Sequence, residues 1–251
     1  MLKRWVTRAL RAAGYQLVNL EKLYEFDGLH TVHHARFRDD PRYQVAWQRG
    51  FEASNRVDPG THWRVHVGLW AASLASRVTG DFVECGVNTG FLSSAILRYL
   101  NWSELGKWFY LFDTFSGPVS RQFSPDEIEQ GRLDAANHAL ATGGYVTDLD
   151  RVRRNYVEWE RIKIVQGTVP EVLESANVGP VAFLHLDMNC TYPEVEALQF
   201  FWERVSRGGV VLFDDYAYFG YEAQGAALDS VARFLGAEIL VLPTGQGLIV
   251  K

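Results

Sequence analysis

The feature that most constrains the fold of this chain is a pair of short apolar runs within residues 181–216, each of which ends in acid. The first run, V-A-F-L-H-L, is followed by Asp187, and the second, G-V-V-L-F, is followed by Asp214 and Asp215. Apolar runs of this length between turn signals are typical of buried parallel strands. Because the carboxyl ends of such strands face the ligand crevice of an open α/β sheet, we expect these carboxylates to converge there.

These acids indicate a metal site, with a structural role as the alternative. Carboxylates that share a cleft supply the oxygen ligands that a hard divalent cation such as Mg²⁺ needs. A carboxylate at a strand end can instead cap the following helix by accepting hydrogen bonds from free N–H groups. Capping explains one such acid better than it explains a group of them, so we predict that Asp187, Asp214 and Asp215 bind a divalent cation or take part in catalysis.

Composition and charge limit the classes of protein to consider. The 251 residues fit one large domain, or a domain with an extension, and an apolar fraction of 47% is ample for a core. The net charge of −5 gives no general reason to expect a nucleic-acid partner. Cys85 and Cys190 lack the spacing of metal ligands, which favours a reduced, cytoplasmic context. We expect no membrane-spanning helix, because the sequence has no apolar run of about 18 residues, and no signal peptide, because the basic N-terminal residues lack an apolar core and a cleavage site.

We predict that residues 1–60 form an N-terminal helical extension or lid and that residues 61–251 form the main α/β domain. Residues 1–22 are basic, with apolar residues at helical spacing, which predicts an amphipathic helix. This helix could dock on the domain or on a partner subunit, and we expect a homo-oligomer. Peripheral contact with an anionic membrane is the alternative. Residues 118–160 interrupt the strand–helix rhythm, so a lid insertion is predicted there, although a solvated helix pair fits the same pattern.

A helix is predicted to begin at Thr61. Its first turns carry His62, Trp63, Arg64 and His66. A helix N-terminus near the crevice could aim these side chains at a ligand, and a packing role for Trp63 fits equally well.

The segment G-D-F-V-E-C-G-V-N-T-G at 80–90 predicts a strand, a turn and the start of a helix. Gly86 and Gly90 permit a tight turn and a close approach of the backbone to a ligand. Their spacing is neither the G-x-G-x-x-G of dinucleotide folds nor a phosphate loop with lysine. Because the turn has no Lys or Arg and Glu84 lies at the strand end, it suits a ligand that lacks phosphates and carries a positive charge.

The next strand, predicted at 107–113, also ends in acid. An acid at this strand tip of a Rossmann-like unit typically binds ribose hydroxyls, and a structural cap is the alternative role for Asp113. Phe115 follows and could stack on an adenine. We also place Gly167 and Thr168, the turn after the third strand, at the cofactor crevice.

The remaining elements predict a Rossmann-like α/β fold with a seven-stranded, mostly parallel sheet. Further strands are expected at 162–166, 181–187 and 209–213, and an antiparallel hairpin at 238–242 and 247–250. Helices are expected at 91–100, 146–160, 192–205 and 222–235. A closing antiparallel hairpin is unusual for a nicotinamide-binding domain and is expected of class I methyltransferases.

Four motifs lie in a specific order along the chain: G-D-F-V-E-C-G-V at 80–87, F-D-T-F-S-G at 112–117, L-H-L-D at 184–187 and G-G-V-V-L-F-D-D-Y at 208–216. With them the sequence resembles the macrocin O-methyltransferase-like family, which comprises Mg²⁺-dependent sugar O-methyltransferases that use S-adenosylmethionine. The resemblance implies the following roles: Glu84 and Gly86 border the methionine portion of the cofactor, Asp113 holds its ribose, and Asp187, Asp214 and Asp215 hold Mg²⁺.

The sequence departs from the family pattern at two places. Asn88 and Thr89 precede Gly90, which alters the expected contacts of Asn88 and Gly90 with the cofactor. Asn189 stands where the family has an aspartate that is proposed as the general base, and asparagine cannot accept a proton at neutral pH. The catalytic candidates are therefore Asp187, Asn189 and His185. A metal-bound hydroxide or a histidine of the 62–66 helix could also be the base, and His185 could be structural because it lies within a strand.

The resemblance implies an S-adenosylmethionine-dependent O-methyltransferase that modifies a sugar or a glycosylated natural product, in natural-product or polysaccharide biosynthesis. We expect a small-molecule or glycan substrate and no nucleic acid. A phenolic or other small-molecule hydroxyl is an alternative acceptor. Because of Asn189, a cofactor-binding partner protein that has lost catalysis is the alternative from another class.

Overall fold

The computed structural model describes residues 2–15 and 23–251 of the chain. Its strands are β1 (Tyr24–Phe26), β2 (Leu29–Thr31), β3 (Asp81–Cys85), β4 (Phe109–Asp113), β5 (Ile162–Gln166), β6 (Val181–Leu186), β7 (Val205–Phe213), β8 (Leu240–Val241) and β9 (Gly247–Val250). Its α-helices are α1 (Leu2–Ala12), α2 (Pro41–Ala53), α3 (His62–Ala75), α4 (Phe91–Tyr99), α5 (Pro125–Glu129), α6 (Arg132–Ala141), α7 (Leu149–Arg154), α8 (Thr191–Trp202) and α9 (Glu222–Phe234).

The main sheet has seven strands in the order β5-β4-β3-β6-β7-β9-β8. The first five run parallel to one another, whereas β9 is antiparallel to both β7 and β8. This arrangement confirms the predicted Rossmann-like sheet with its antiparallel C-terminal hairpin. Because β6 lies between β3 and β7, the residues that end these three strands meet at one edge of the sheet.

The sheet is covered by helices on both faces, and alternate residues of each strand point to opposite layers. Phe82 of β3 belongs to the core layer that contains residues of α2, α3 and α4, whereas its neighbour Val83 belongs to the layer that contains residues of α8 and α9. Along β6, Phe183 belongs to the same layer as Phe82, and Leu184 belongs to the same layer as Val83. Both faces of the central strands are therefore buried, which accounts for their nearly continuous apolar sequence.

The N-terminal part contains more structure than the sequence indicates. Residues 23–60 form the β1–β2 hairpin and α2, and α2 packs directly on α4, where Trp47 contacts Phe91 with ring centroids 4.9 Å apart. The predicted helix over 1–22 is present as α1, while residues 1 and 16–22 lie outside the described residues. Trp5 of α1 is exposed. The domain boundary at residue 60, the docking of α1 and its contact with a membrane stay predictions.

The helix predicted at 146–160 is too long, because only α7 (Leu149–Arg154) forms there. Asp148 sets its start by accepting a hydrogen bond from the Arg151 N–H at 2.9 Å. Asn155 sets its end, since its side-chain amide donates to the carbonyls of Ala53 (3.1 Å) and Thr89 (2.9 Å) and draws the chain toward the domain. Within residues 2–15 and 23–251, every helix is too short or too polar to cross a membrane.

The buried aromatic side chains of the second layer predict a large mutational effect. Phe201 of α8 is 0% exposed, whereas Phe234 at the end of α9 is 87% exposed. We expect Phe201→Ala to lower the free energy of unfolding by about 3–5 kcal/mol, because it leaves a cavity in the core. The matched variant Phe234→Ala should change it by less than about 0.5 kcal/mol. Urea unfolding measures both, and equal effects would contradict this packing.

Candidate active site

A cleft lies at the carboxyl ends of β3, β4, β6 and β7 and consists of two adjoining cavities, of about 470 Å³ and about 130 Å³. Gly86, Asn88 and Asp187 border both cavities. The larger one is also bordered by Arg64, Glu84, His185 and Asp214, and the smaller one by Asp113, Gly167 and Asn189. The cleft therefore contains most of the side chains that the sequence singled out.

His185 joins two of these acids. Its Nδ1 lies 3.1 Å from Glu84 Oε1, and its Nε2 lies 3.8 Å from Asp214 Oδ1. Burial alone would lower the pKa of His185, but the contact with Glu84 and the negative charges of Glu84 and Asp214 outweigh it and raise the pKa to about 10. A raised pKa favours the charged imidazolium over a proton acceptor, which supports the structural role that the sequence left open.

Glu84 has an unused acceptor. Its Oε2 is buried and has no hydrogen-bond partner among the described residues, although Glu84 borders the larger cavity. An unsatisfied buried acceptor costs about 1–3 kcal/mol, and more for a charged group. This oxygen therefore suits a ligand with a cationic donor, such as an ammonium group.

Gly86 is required by a contact within the chain. Its φ is 90°, and a Cβ built on it would lie 1.8 Å from the carbonyl oxygen of Asp187. Gly90 has φ 80°, and its Cβ would lie 2.1 Å from the Tyr156 hydroxyl. The predicted tight turn is thus present, and the close approach at both glycines is to the protein itself.

Asp113 organises the same turn. Its Oδ2 accepts hydrogen bonds from the N–H groups of Val87 and Asn88, both at 2.8 Å, and its Oδ1 accepts one from Phe115 at 2.7 Å. This is the capping role that was the alternative for Asp113. A carboxylate has about four lone-pair positions, so room for a ribose hydroxyl is left, and that role stays a prediction.

Two residues predicted to bind the cofactor do not border the described cavities. Phe115 has φ 47° and is 2% exposed within the core beneath the cleft. Because its ring is enclosed by other side chains, stacking on an adenine does not fit its position. Thr168 is likewise absent from the described residues that border either cavity, whereas Gly167 borders the smaller one.

Asn88 connects the turn to the lid segment. Its side-chain amide donates to the carbonyl of Gly144 at 2.9 Å, and its Oδ1 accepts from the Val146 N–H at 3.0 Å. The start of the segment is held by Glu127, which closes a capping box with Ser124 and also accepts from the Thr191 N–H at 3.0 Å. Parts of the segment 118–160 border both cavities, as a lid would.

The β7 acids are paired with an arginine. Arg64 Nη1 donates to Asp214 Oδ2 at 2.6 Å and to Asp215 Oδ1 at 3.0 Å. Its Nε lies 2.6 Å from Oδ2 of Asp27, at the tip of the β1–β2 hairpin. Sequence reasoning placed Arg64 near the ligand and missed these partners, which lie about 40 and 150 positions away and share no local pattern with it.

Whether these acids could bind a divalent cation depends on how many of their oxygens already accept hydrogen bonds from the protein. Besides the Arg64 contacts, Asp214 Oδ1 accepts from Gln246 Nε2 at 2.8 Å, and Asp187 Oδ1 accepts from Asn189 Nδ2 at 3.2 Å. Among the described residues, 2–15 and 23–251, no group of three or more His, Cys, Asp or Glu side chains is arranged to hold a metal ion. The acids lie near one another, as predicted, but their arrangement does not fit Mg²⁺.

Unlike Asp214 and Asp215, Asp187 has no ion pair with an arginine among the described residues. Burial, together with the negative charges of Asp214 and Asp215, raises the pKa of Asp187 well above its usual range. Its contact is with Asn189, which is held in turn by the Tyr221 hydroxyl at 2.6 Å. Asp187 borders both cavities, and Asn189 donates the hydrogen bond that orients its carboxylate.

The histidines of α3 are part of an aromatic cluster. His62 stacks on Trp47 with centroids 3.8 Å apart, and His66 stacks on Phe37 at 4.1 Å. Burial, aided by the charge of Arg38, lowers the pKa of His62 to about 4. Neither histidine is among the described residues that border the cavities, which favours packing over proton transfer.

The sheet order, the reversed last strand and the cleft at the strand ends define a class I methyltransferase fold. Two solved structures are similar to it. The O-methyltransferase NovP has a TM-score of 0.63 and 21% identity over 81% of this chain and 88% of that chain. The calicheamicin methyltransferase CalS11 has a TM-score of 0.56 and 15% identity over 84% and 93%. At these identities the similarity shows the fold alone.

Residues 69–230 match the sequence model of the macrocin O-methyltransferase (TylF) family, and the chain belongs to this family. A Streptomyces olivaceus protein, 8-demethyl-8-(2,3-dimethoxy-alpha-L-rhamnosyl)-tetracenomycin-C 4'-O-methyltransferase, is 31% identical over 57% of this chain and 56% of its own length. The demethyldecarbamoylnovobiocin O-methyltransferase of Streptomyces niveus is 28% identical over 57% and 55%. The match thus spans little more than half the length of these curated relatives.

Proposed function

We propose that the protein is an S-adenosylmethionine-dependent O-methyltransferase that acts on a hydroxyl of a sugar or a glycosylated natural product. Membership of the macrocin O-methyltransferase family supports the reaction class, and the names of the two relatives support a natural-product acceptor. The observation that carries the proposal is the cleft itself. Glu84 and Asp187 border one cavity there, and the Oε2 atom of Glu84 has no hydrogen-bond partner among the described residues.

The cofactor would lie along the turn after β3. Glu84 would accept hydrogen bonds from its ammonium group, and Asp113 would bind its ribose with the lone pair left free by the turn. The other lining candidates are Gly86, Asn88 and Gly167. When bound, S-adenosylmethionine supplies a methyl group on a positively charged sulfur.

Asp187 would act as the general base. The acceptor hydroxyl would give its proton to the Asp187 carboxylate, and bound S-adenosylmethionine would supply the methyl group to that oxygen and leave as S-adenosylhomocysteine. Asn189 and Tyr221 hold Asp187 in position through the hydrogen bonds described above. This scheme requires no metal-bound group, in keeping with the poor fit of the site to the Mg²⁺ that the family resemblance implies.

The test is methyl transfer from labelled S-adenosylmethionine to a panel of acceptors. Deoxysugar-bearing polyketides and aminocoumarins would represent glycosylated products, and catechols would represent phenols. We expect the label on a sugar hydroxyl, located by fragmentation in mass spectrometry. Label on phenols alone would favour the alternative acceptor. Cofactor binding without any product would favour a partner protein that has lost catalysis.

A second prediction concerns the cofactor. Glu84→Gln is expected to weaken the binding of S-adenosylhomocysteine by roughly 10- to 100-fold, because a hydrogen bond to a charged group is lost. Isothermal titration calorimetry measures the affinity. The control Glu171→Gln, on an exposed ion pair with Arg121, should bind like the wild type. Unchanged affinity in Glu84→Gln would exclude Glu84 from the binding site.

A further inference from the structure

One buried guanidinium is shared by three carboxylates from separate parts of the chain. The Arg64 side chain is 9% exposed, and it pairs with Asp27 of the β1–β2 hairpin and with Asp214 and Asp215 after β7. The Tyr218 ring covers it, with Arg64 Cζ 4.7 Å from the ring centroid. Arg64 is therefore fixed in place as part of the floor of the cleft.

The neighbouring acids keep the Arg64 guanidinium positively charged. Burial alone would lower the pKa of Arg64, but the negative charges of Asp214, Asp215 and Asp27 raise it further above its already high value. A guanidinium is planar, always charged and able to donate to several carboxylate oxygens at once, which a lysine cannot do in the same geometry. The cluster thus has a permanent positive centre supplied by the protein.

We propose that Arg64 is the resident cation of this carboxylate cluster and takes the place that a divalent ion would hold between Asp214 and Asp215, so that methyl transfer by this chain needs no metal ion. The statement that methyl transfer needs no metal ion rests on the proposed function. The position of Arg64 in the cation site does not, because it can be tested without turnover.

The position of the charges supports this assignment. Mg²⁺ requires nearly octahedral oxygen coordination at short distances and loses its waters reluctantly. Arg64 already occupies an oxygen of each β7 acid, and Gln246 occupies the other oxygen of Asp214. A divalent ion would have to displace the guanidinium toward Asp27 and bring two more positive charges next to it. The electrostatic repulsion between the two cations opposes joint occupancy.

The arrangement also gives Arg64 a positioning role. By placing its positive charge against both Asp214 and Asp215, it lowers the electrostatic cost of two acids that lie beside Asp187. Asp187 then stays free to face the acceptor.

The experiment is a Mn²⁺ titration followed by electron paramagnetic resonance, with wild type, Arg64→Met, Arg64→Lys and the double variant Arg64→Met/Asp215→Asn. We expect wild type and Arg64→Lys to bind no stoichiometric Mn²⁺ below millimolar concentration. Arg64→Met should bind one Mn²⁺ roughly 10-fold more tightly or better, because the carboxylates lose their cation. The double variant should lose this site again.

Other results would overturn the inference. Tight binding of one Mn²⁺ by the wild type, lost in Asp215→Asn, would show that the acids hold a metal despite Arg64. A folded Arg64→Met that gains no Mn²⁺ site would show that Arg64 does not take a cation position. If Arg64→Met fails to fold, Arg64→Gln, which removes the charge and keeps a hydrogen-bond donor for the acids, should gain the Mn²⁺ site, and no gain there counts against the inference.

Activity supplies a separate readout. Methyl transfer by the wild type is expected to be unchanged by EDTA, and restoration of lost activity by Mg²⁺ would contradict the inference. If no acceptor is methylated at all, the proposed function fails while the Mn²⁺ titrations still decide the identity of the cation. The two failures are therefore distinguishable.

Discussion

Asp187→Asn is expected to lower kcat by about 10²- to 10⁴-fold, the usual contribution of a general base. The amide has nearly the shape of the carboxylate but cannot accept the hydroxyl proton. Because Glu84, which would bind the ammonium group, is unaffected, the affinity for S-adenosylhomocysteine should stay close to that of the wild type. Steady-state kinetics and calorimetry on the same preparation give the two quantities.

The control for this prediction is Asp150→Asn, in an exposed ion pair with Arg153 on the lid segment. It should retain full activity. A companion variant, Asn189→Leu, keeps Asp187 ionisable but removes the hydrogen bond that orients it, so an intermediate loss of kcat is expected. Activity of Asp187→Asn within a few-fold of the wild type would assign the proton transfer to another group.

The second large effect is expected from Gly86→Ala. The new methyl group would meet the Asp187 carbonyl oxygen at 1.8 Å, and the residue would have to keep φ near 90°. Left-handed backbone strain and overpacking together cost about 2–5 kcal/mol. For a chain of this size, the melting temperature should fall by about 5–20 °C. Thermal unfolding followed by circular dichroism measures the change.

A matched glycine separates the two contributions. Gly236 follows α9 with φ 73°, and a Cβ added there would meet no atom of the described residues within 4 Å, so Gly236→Ala introduces strain without a clash. Its melting temperature should fall by only a few degrees. If Gly86→Ala were no less stable than Gly236→Ala, the close contact between the β3 turn and the β6 tip would be disproved.

The parts of the fold that follow local patterns could be predicted. The apolar runs before Asp187 and Asp214 indicate parallel strands, and their strand ends do lie side by side in the sheet. Gly86 is recognisable as a turn because left-handed backbone favours glycine. The closing hairpin is recognisable from its turn residues between two short β segments.

Contacts between distant segments could not be predicted in the same way. Asp27 meets Arg64 only because the hairpin docks beside α3, and no periodicity encodes that docking. The capping role of Asp113 could be foreseen only as an alternative, since a carboxylate at a strand tip suits both a ribose and a turn. Phe115 looks available beside the cleft because its sequence position gives no sign that its ring enters the core.

The hydrogen bonds of Asn88 have a consequence for how molecules enter the cleft. Its side chain joins the turn after β3 to the backbone at Gly144 and Val146, while its own N–H is held by Asp113. Opening on that flank would have to break both side-chain bonds together. The loop 54–61 also borders the larger cavity, and within the described part of the chain it carries no such tether from Asn88. The acceptor is therefore expected to arrive and leave past this loop, so exchanging its side chains is the route to a changed acceptor preference.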